Sequence, residues 1–393
     1  MKFGFFSLGH VPKPLDSDTW EDGQEQARVN EWLDQAEAYE RLGYDYIWVG
    51  EHHFAGEYTH MSAPDLYMAA VSQRTKRIRL GSAITQLSTY HNHPARVAER
   101  MAWLDLLSNG RWEFGSGPAG IHEVRPVVYG IDGEVERVTK ESGQIWESNL
   151  RECVRMMTED PYPGFDGKYL KMPPVTVVPR VVQKPHPPLW RSVLRPGSFG
   201  NAARLGVGAL MLAAFGPEQI RAGVNEYWEG VRAGIEPVGK VSNPATAVFI
   251  HMHCAKTDEQ AQARGRAGID FFSWGITHSG QRIGQRGVHL NREMHAALDA
   301  GTFDGNVFLN FGPTALIGSP ATLREMLRQV EQTNVDLVIF THQVGETPHE
   351  ALMESMELVA GQVLPEFRDR DEAHRKWRAE QVADIPVPIS STV

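Results

Sequence analysis

Apolar and polar positions follow two rhythms along this chain, and the rhythms take turns. Short runs of aromatic and β-branched residues at 2–8, 44–49, 78–85, 112–115, 189–194, 208–214, 246–254 and 335–341 read as buried strands. Between them lie stretches with about one apolar residue per helical turn, as at Ala27, Trp32, Ala36 and Tyr39. These predict helices over 24–42, 64–74, 94–107, 138–157, 198–205, 217–233, 258–272, 321–332 and 348–364. Gly43 and Asn109-Gly110 supply helix stops, and Pro64 opens a helix where a missing N–H costs nothing.

Strand and helix alternate without a clear hairpin signal, which predicts a parallel sheet. Eight strands in 393 residues, with no linker breaking the alternation, predict an α/β fold of the (β/α)8 TIM barrel type in place of two domains. The Pro-rich stretch 160–188 and the Gly- and His-rich stretch 273–313 are too long for ordinary connections and read as insertions after strands 4 and 7. One barrel domain is expected over 1–367, with 368–393 as a C-terminal helix and tail.

Charge and cysteine usage narrow the class. Thirty-nine basic against 49 acidic residues give a net charge of −10 with no basic stripe, which argues against nucleic-acid or anionic-membrane partners. The two cysteines, Cys153 and Cys254, indicate no disulfide framework, and a cytoplasmic setting is expected. No 18 apolar residues run together, so no membrane span is expected.

The second strand stops at Gly50 and delivers Glu51, His52 and His53 together. Parallel strands end where α/β folds bind ligands, and a carboxylate beside imidazoles suits proton transfer near neutrality. We expect His52 to exchange the proton, with Glu51 orienting it. His53, His91 and His93 belong at the same mouth, although for His53 and His91 a hydrogen bond to a neighbouring loop is a competing role. His91-x-His93 and His251-x-His253 raise the question of zinc, but no acidic residue completes a ligand set and no metal is expected. Gly115-x-Gly117-x-x-Gly120 matches a dinucleotide fingerprint only in letters, since Pro118 interrupts it, and Gly117 is better placed to let backbone approach a ligand. Arg195-Pro196-Gly197-Ser198 opens a helix with a guanidinium and a hydroxyl, which serves as a phosphate seat or as a plain N-cap.

Several blocks resemble the bacterial luciferase-like flavin monooxygenases: Gly43-Tyr44-Asp45 with Glu51-His52-His53-Phe54, His93-Pro94-Ala95-Arg96 with Glu99, Gln183-Lys184-Pro185-His186 and Pro348-His349-Glu350. They run in family order over about residues 1–367. The resemblance implies a barrel that takes reduced FMN from a separate flavin reductase, reacts it with O2 to a C4a-hydroperoxide and oxygenates a small organic substrate, usually as a dimer; a homodimer is expected. It also implies that His52 is tied to catalysis, that a non-prolyl cis peptide lies beneath the flavin at Ser82-Ala83-Ile84, and that Ser198 supplies a phosphate contact. His93 and Gly117 join these as expected cofactor contacts. Pro118-Ala119 stands where the family often has an arginine, so Arg195 is expected to replace that charge. The insertion 273–313 is expected to act as a lid made flexible by Gly275, Gly280, Gly284 and Gly287. Hydride transfer with the deazaflavin F420, light emission from a long-chain aldehyde, and non-catalytic flavin binding are the alternatives; the substrate is not readable from the sequence.

Overall fold

Eight parallel strands close into a ring: β1 (Lys2–Ser7), β2 (Tyr46–Val49), β3 (Arg79–Ser82), β4 (Trp112–Gly117), β5 (Leu189–Val193), β6 (Gly208–Leu212), β7 (Thr246–Cys254) and β8 (Leu337–Gln343). Each pairs with the next in sequence, and β8 returns to β1 with Leu337 opposite Lys2. This is the expected TIM barrel. The computed structural model describes residues 1–118, 120–194, 197–212, 216–283, 285–304 and 315–390.

The helices pack around the ring: α1 (Gln24–Arg41), α2 (Pro64–Arg74), α3 (Pro94–Leu107), α4 (Ile121–Val127), α5 (Glu134–Thr158), α6 (Ser198–Arg204), α7 (Pro217–Ala233), α8 (Asp258–Arg282), α9 (Leu290–Asp299), α10 (Pro320–Glu331) and α11 (His349–Gln362). Local chemistry sets several starts. Thr257 accepts from the Gln260 amide to cap α8, and Ser319 accepts from Thr322 to cap α10. Outward strand residues join the helices in one large core, and inward residues make a second core inside the ring.

Two tryptophans dominate the interior. Trp48 of β2 and Trp190 of β5 meet edge to face with ring centroids 5.5 Å apart. Glycine on the neighbouring strand makes room for each: a Cβ on Gly81 would lie 2.4 Å from the Trp48 ring, and one on Gly208 would lie 2.4 Å from the Trp190 ring. Beside them the buried Glu113 accepts from the Trp190 indole at 2.7 Å and pairs with Arg79, so no charge is stranded in the ring.

Departures from the sequence reading cluster at the C-terminal ends of the strands. The predicted strand 78–85 stops at Ser82, the Ala83–Ile84 peptide is cis, and Thr85 and Gln86 then pair with Ser116 and Gly117 of β4. The predicted helix 258–272 runs on to Arg282, so the second insertion begins as a continuation of α8. Gly275 and Gly280, expected as hinges, are contact points: a Cβ there would lie 2.1 Å from Tyr58 and 2.8 Å from His122. Gly287 sits in a turn with φ +70°, and Gly284 lies outside the described residues. Inside the first insertion Phe165–Asp166 and Lys171–Met172 form a small antiparallel pair. After α11, the helix Asp371–Val382 lies against the start of β8, where His374 and Arg378 reach Asp336. No described helix is long and apolar enough to cross a membrane.

Gly81→Ala is expected to cost about 1–3 kcal/mol by overpacking the ring against Trp48. Gly361→Ala on α11, where an added methyl meets nothing, should be neutral or gain up to about 1 kcal/mol. Urea midpoints of the two variants against the parent check both signs.

Candidate active site

At the C-terminal mouth of the barrel lies a cavity of about 230 Å3. Its walls are mostly apolar: Phe6 and Leu8 from β1 and its exit, Leu210 and Leu212 from β6, and Phe249 from β7. Ala83 and Ile84 form one side, while Phe272 and Ile276, one turn apart on α8, close another. His52, Ser192 and the phenol-bearing Tyr58 are its polar members, with the Tyr58 and His52 ring centroids 6.1 Å apart.

The strand end explains where each group points. Successive residues of an extended chain face opposite ways. Glu51 is buried away from the cavity, and His52 faces into it with a side chain 40% exposed. Glu51 is saturated with donors: His53 Nε2 at 3.0 Å, the Asn92 amide at 2.7 Å and the Gln86 backbone N–H at 3.0 Å. That hydrogen bond to Glu51 holds the His53 pKa above its ordinary value, against partial burial. His91 lies 5.2 Å from the His53 ring, and burial together with the neighbouring imidazole lowers its pKa.

Glu51 therefore does not orient His52. The carboxylate at His52 is Glu123 of α4, with Oε1 2.6 Å from Nδ1. Burial pushes the Glu123 pKa up, but the hydrogen bond and charge of His52 and the Gln86 amide outweigh it, leaving the carboxyl below its usual range. Sequence reasoning missed both Glu123 and Gln86. Neither belongs to a periodic pattern; the only available signal was an acid just past the glycine turn that follows β4.

The other expected contacts separate. Ala83 and Ile84 line the cavity. Ser82 faces away and locks β3 to β4, donating to the Gly115 carbonyl at 2.7 Å and accepting from the Gly115 N–H at 3.1 Å. Gly117 gives room to Ile84 and Ser192, each of which would lie 2.6 Å from an added Cβ. His93 caps α3 through Nδ1, which accepts from the Ala95 amide at 3.3 Å. Ser198 is the first residue of α6, but the Glu226 carboxylate already accepts from the Gly197 and Gly200 amides at 2.8 and 3.1 Å. A phosphate entering that seat would have to displace a carboxylate. Arg195 lies outside the described residues. Phe54 is exposed and Trp112 is buried in the outer core, so neither walls the cavity. The mostly apolar walls suit the dimethylbenzene part of a flavin ring, while the described residues around Ser198 do not complete a phosphate seat.

His251 and His253 are buried in β7 and assemble no metal set; no cluster of three or more metal-binding side chains occurs among the described residues. Burial lowers the pKa of His10 and His251 to about 3 and of His253 to about 4.

A family model described as luciferase-like monooxygenase matches residues 1–337. Limonene 1,2-monooxygenase of Rhodococcus erythropolis is 28% identical over 351 residues, covering 88% of this chain and 83% of that protein. The oxygenating constituent of 3,6-diketocamphane monooxygenase from Pseudomonas putida, a type II Baeyer-Villiger monooxygenase solved in complex with FMN, superposes with a TM-score of 0.68 at 20% identity over 93% of this chain and 98% of that one. The coenzyme F420 dependent tetrahydromethanopterin reductase of Methanopyrus kandleri superposes with a TM-score of 0.65 at 19% identity over 93% and 99%.

His10, His251, His253 and the fully buried His342, whose pKa lies well below its ordinary value, bind no proton in the fold yet would bind one in the unfolded chain below about pH 6.5. Their contribution to stability is therefore complete above that pH and is lost on acidification, by about 1.4 kcal/mol per pH unit for each one. Urea midpoints at pH 7.5, 6 and 5 should fall accordingly, and His251→Leu should reduce the slope by one proton's share.

Proposed function

Because the chain belongs to the luciferase-like monooxygenase family, we propose that it is the oxygenase of a two-component, flavin-dependent system. It takes reduced FMN made by a separate flavin reductase and uses O2 to oxygenate a small organic substrate. The observation that carries this reading is the apolar cavity at the barrel mouth with a single imidazole, that of His52, in its wall. The oxygenating constituent of a diketocamphane monooxygenase with FMN on the same fold, and a limonene monooxygenase among the relatives, support it.

Reduced flavin bound there supplies two electrons and two protons, so that O2 leaves one oxygen atom in the substrate and the other in water. The protein supplies the surroundings. Its apolar walls keep bulk water from the reacting atoms. Ala83 and Ile84 offer the flat side against which a flavin ring rests, and His52 exchanges a proton with the groups in the cavity. Arg195, which follows the cavity-lining Leu194 in sequence, is the group proposed to supply the charge for the phosphate. The exposed Leu66 on α2 and Trp103 on α3, 72% and 56% accessible, give a homodimer its contact face. Both cysteines are buried and unpaired, in keeping with a cytoplasmic setting.

A second reading uses F420 for hydride transfer, because the same fold carries an F420 dependent reductase. Stopped-flow absorbance separates the two. Mixing the protein and FMNH2 with air-saturated buffer should give a slowly decaying spectrum distinct from both reduced and oxidised FMN. His52→Ala should shorten its lifetime and cut product formation by about 10²-fold or more. Parent-like behaviour of that variant on both counts removes the role, and substrate-dependent oxidation of F420H2 without O2 uptake transfers the assignment. Arg195→Ala should raise the FMNH2 dissociation constant about tenfold; an unchanged constant assigns the phosphate elsewhere.

A further inference from the structure

Glu123 reaches His52 from α4, seven residues long, and is only 6% exposed. Its two oxygens meet different partners: Oε1 faces His52 Nδ1 at 2.6 Å, and Oε2 accepts from the Gln86 side-chain amide. That amide is not free to turn over. Gln86 Nε2 also donates to the Glu51 carbonyl at 2.8 Å, and the Gln86 backbone N–H donates to Glu51 Oε2 at 3.0 Å. Position 86 therefore always presents a donor to position 123. An ionised carboxylate can only accept, so the His52 nitrogen facing it must carry a proton. In a neutral imidazole the opposite nitrogen is then bare. Nε2 of His52 has no hydrogen-bond partner among the described residues, on a ring that lines the cavity.

We propose that Glu123 is a positioning residue that holds neutral His52 as its Nδ1–H tautomer, leaving Nε2 toward the cavity as a proton acceptor. This rests on the oxygenase reading of that cavity and specifies the direction of its first proton transfer. A proton taken by Nε2 leaves its bonding pair on the oxygen or carbon that held it. The resulting imidazolium is balanced by the Glu123 carboxylate, 2.6 Å from Nδ1. The Glu123 carboxylate accepts on both oxygens by its own chemistry, and the Gln86 donor fixes only which way a neutral amide at position 123 would turn.

The test reads the ring directly. In the full chain without flavin, labelled with 15N-histidine and assigned by a His52→Asn spectrum, two-bond 1H–15N correlations at pH 7.5 should show a protonated Nδ1 and a bare Nε2. Glu123→Gln should invert this pattern: the new amide must give its oxygen to Gln86 and its NH2 to His52. Product formation in that variant should fall about 10²-fold with the FMNH2 dissociation constant unchanged. Gln86→Met, which keeps the carboxylate, should retain Nδ1–H and supplies the comparison if Glu123→Gln does not fold. A parent ring protonated at Nε2, or one unaltered by Glu123→Gln, overturns the proposal. The inverted tautomer in a protein that oxygenates nothing would uphold the positioning role and remove the oxygenase reading instead.

Discussion

The volume inside the strand ring is the constraint on which the rest depends. Eight strands leave space for side chains and little else. Trp48 and Trp190 meet inside it, and they can do so only because Gly81 and Gly208 contribute no side chain on the adjoining strands. Filling the middle leaves the remaining space at the mouth, where Leu210, Phe249 and Ile84 line a cavity in place of a core. A packed ring is therefore a precondition of an open site above it.

On the flank of the mouth formed by β2 and β3 the polar groups are linked. Glu51 joins His53, Asn92 and Gln86; Asn92 accepts from Arg100 of α3 at 2.6 Å; Arg100 approaches Asp65 of α2 at 3.6 Å. Gln86 carries the array across to Glu123 and His52. The network ties α2, α3 and α4 to the ends of β2 and β3, so the orientation of one imidazole is set by elements far apart in sequence. Supports of this kind restrict rotation, and they also concentrate sensitivity to substitution at a few amides and carboxylates.

Much of the fold was legible because its signals are local and repeated. Short continuous runs of aromatic and β-branched residues, alternating with helical periodicity, recovered all eight strands and their order, and their number fixed the architecture. The site was legible only in part. His52 follows from where β2 ends, and Ala83-Ile84 from the resemblance to a family. Glu123 was hidden because α4 is only seven residues long and contains Pro126, so its few apolar positions do not stand out as a helix in the sequence. Glu51 was assigned to the wrong histidine because adjacency in sequence is not adjacency in space at a strand end, where consecutive side chains diverge. The glycines of α8 misled for a related reason. Glycine signals either freedom or close approach, and only the partners Tyr58 and His122 reveal which.

The charge states around the cavity follow from how many donors each group can find. Glu123 is buried yet ionised because His52 and Gln86 both donate to it. His10 and His251 are buried too, but His10 Nδ1 accepts from the Gly345 N–H at 2.9 Å and burial outweighs the backbone contact of His251 with Thr341, so both stay neutral down to about pH 3. Burial alone thus predicts neither outcome. Of these groups, His52 combines a carboxylate on one nitrogen with an open cavity on the other. That pairing, and not the mere count of histidines near the mouth, is what equips one of them to move a proton.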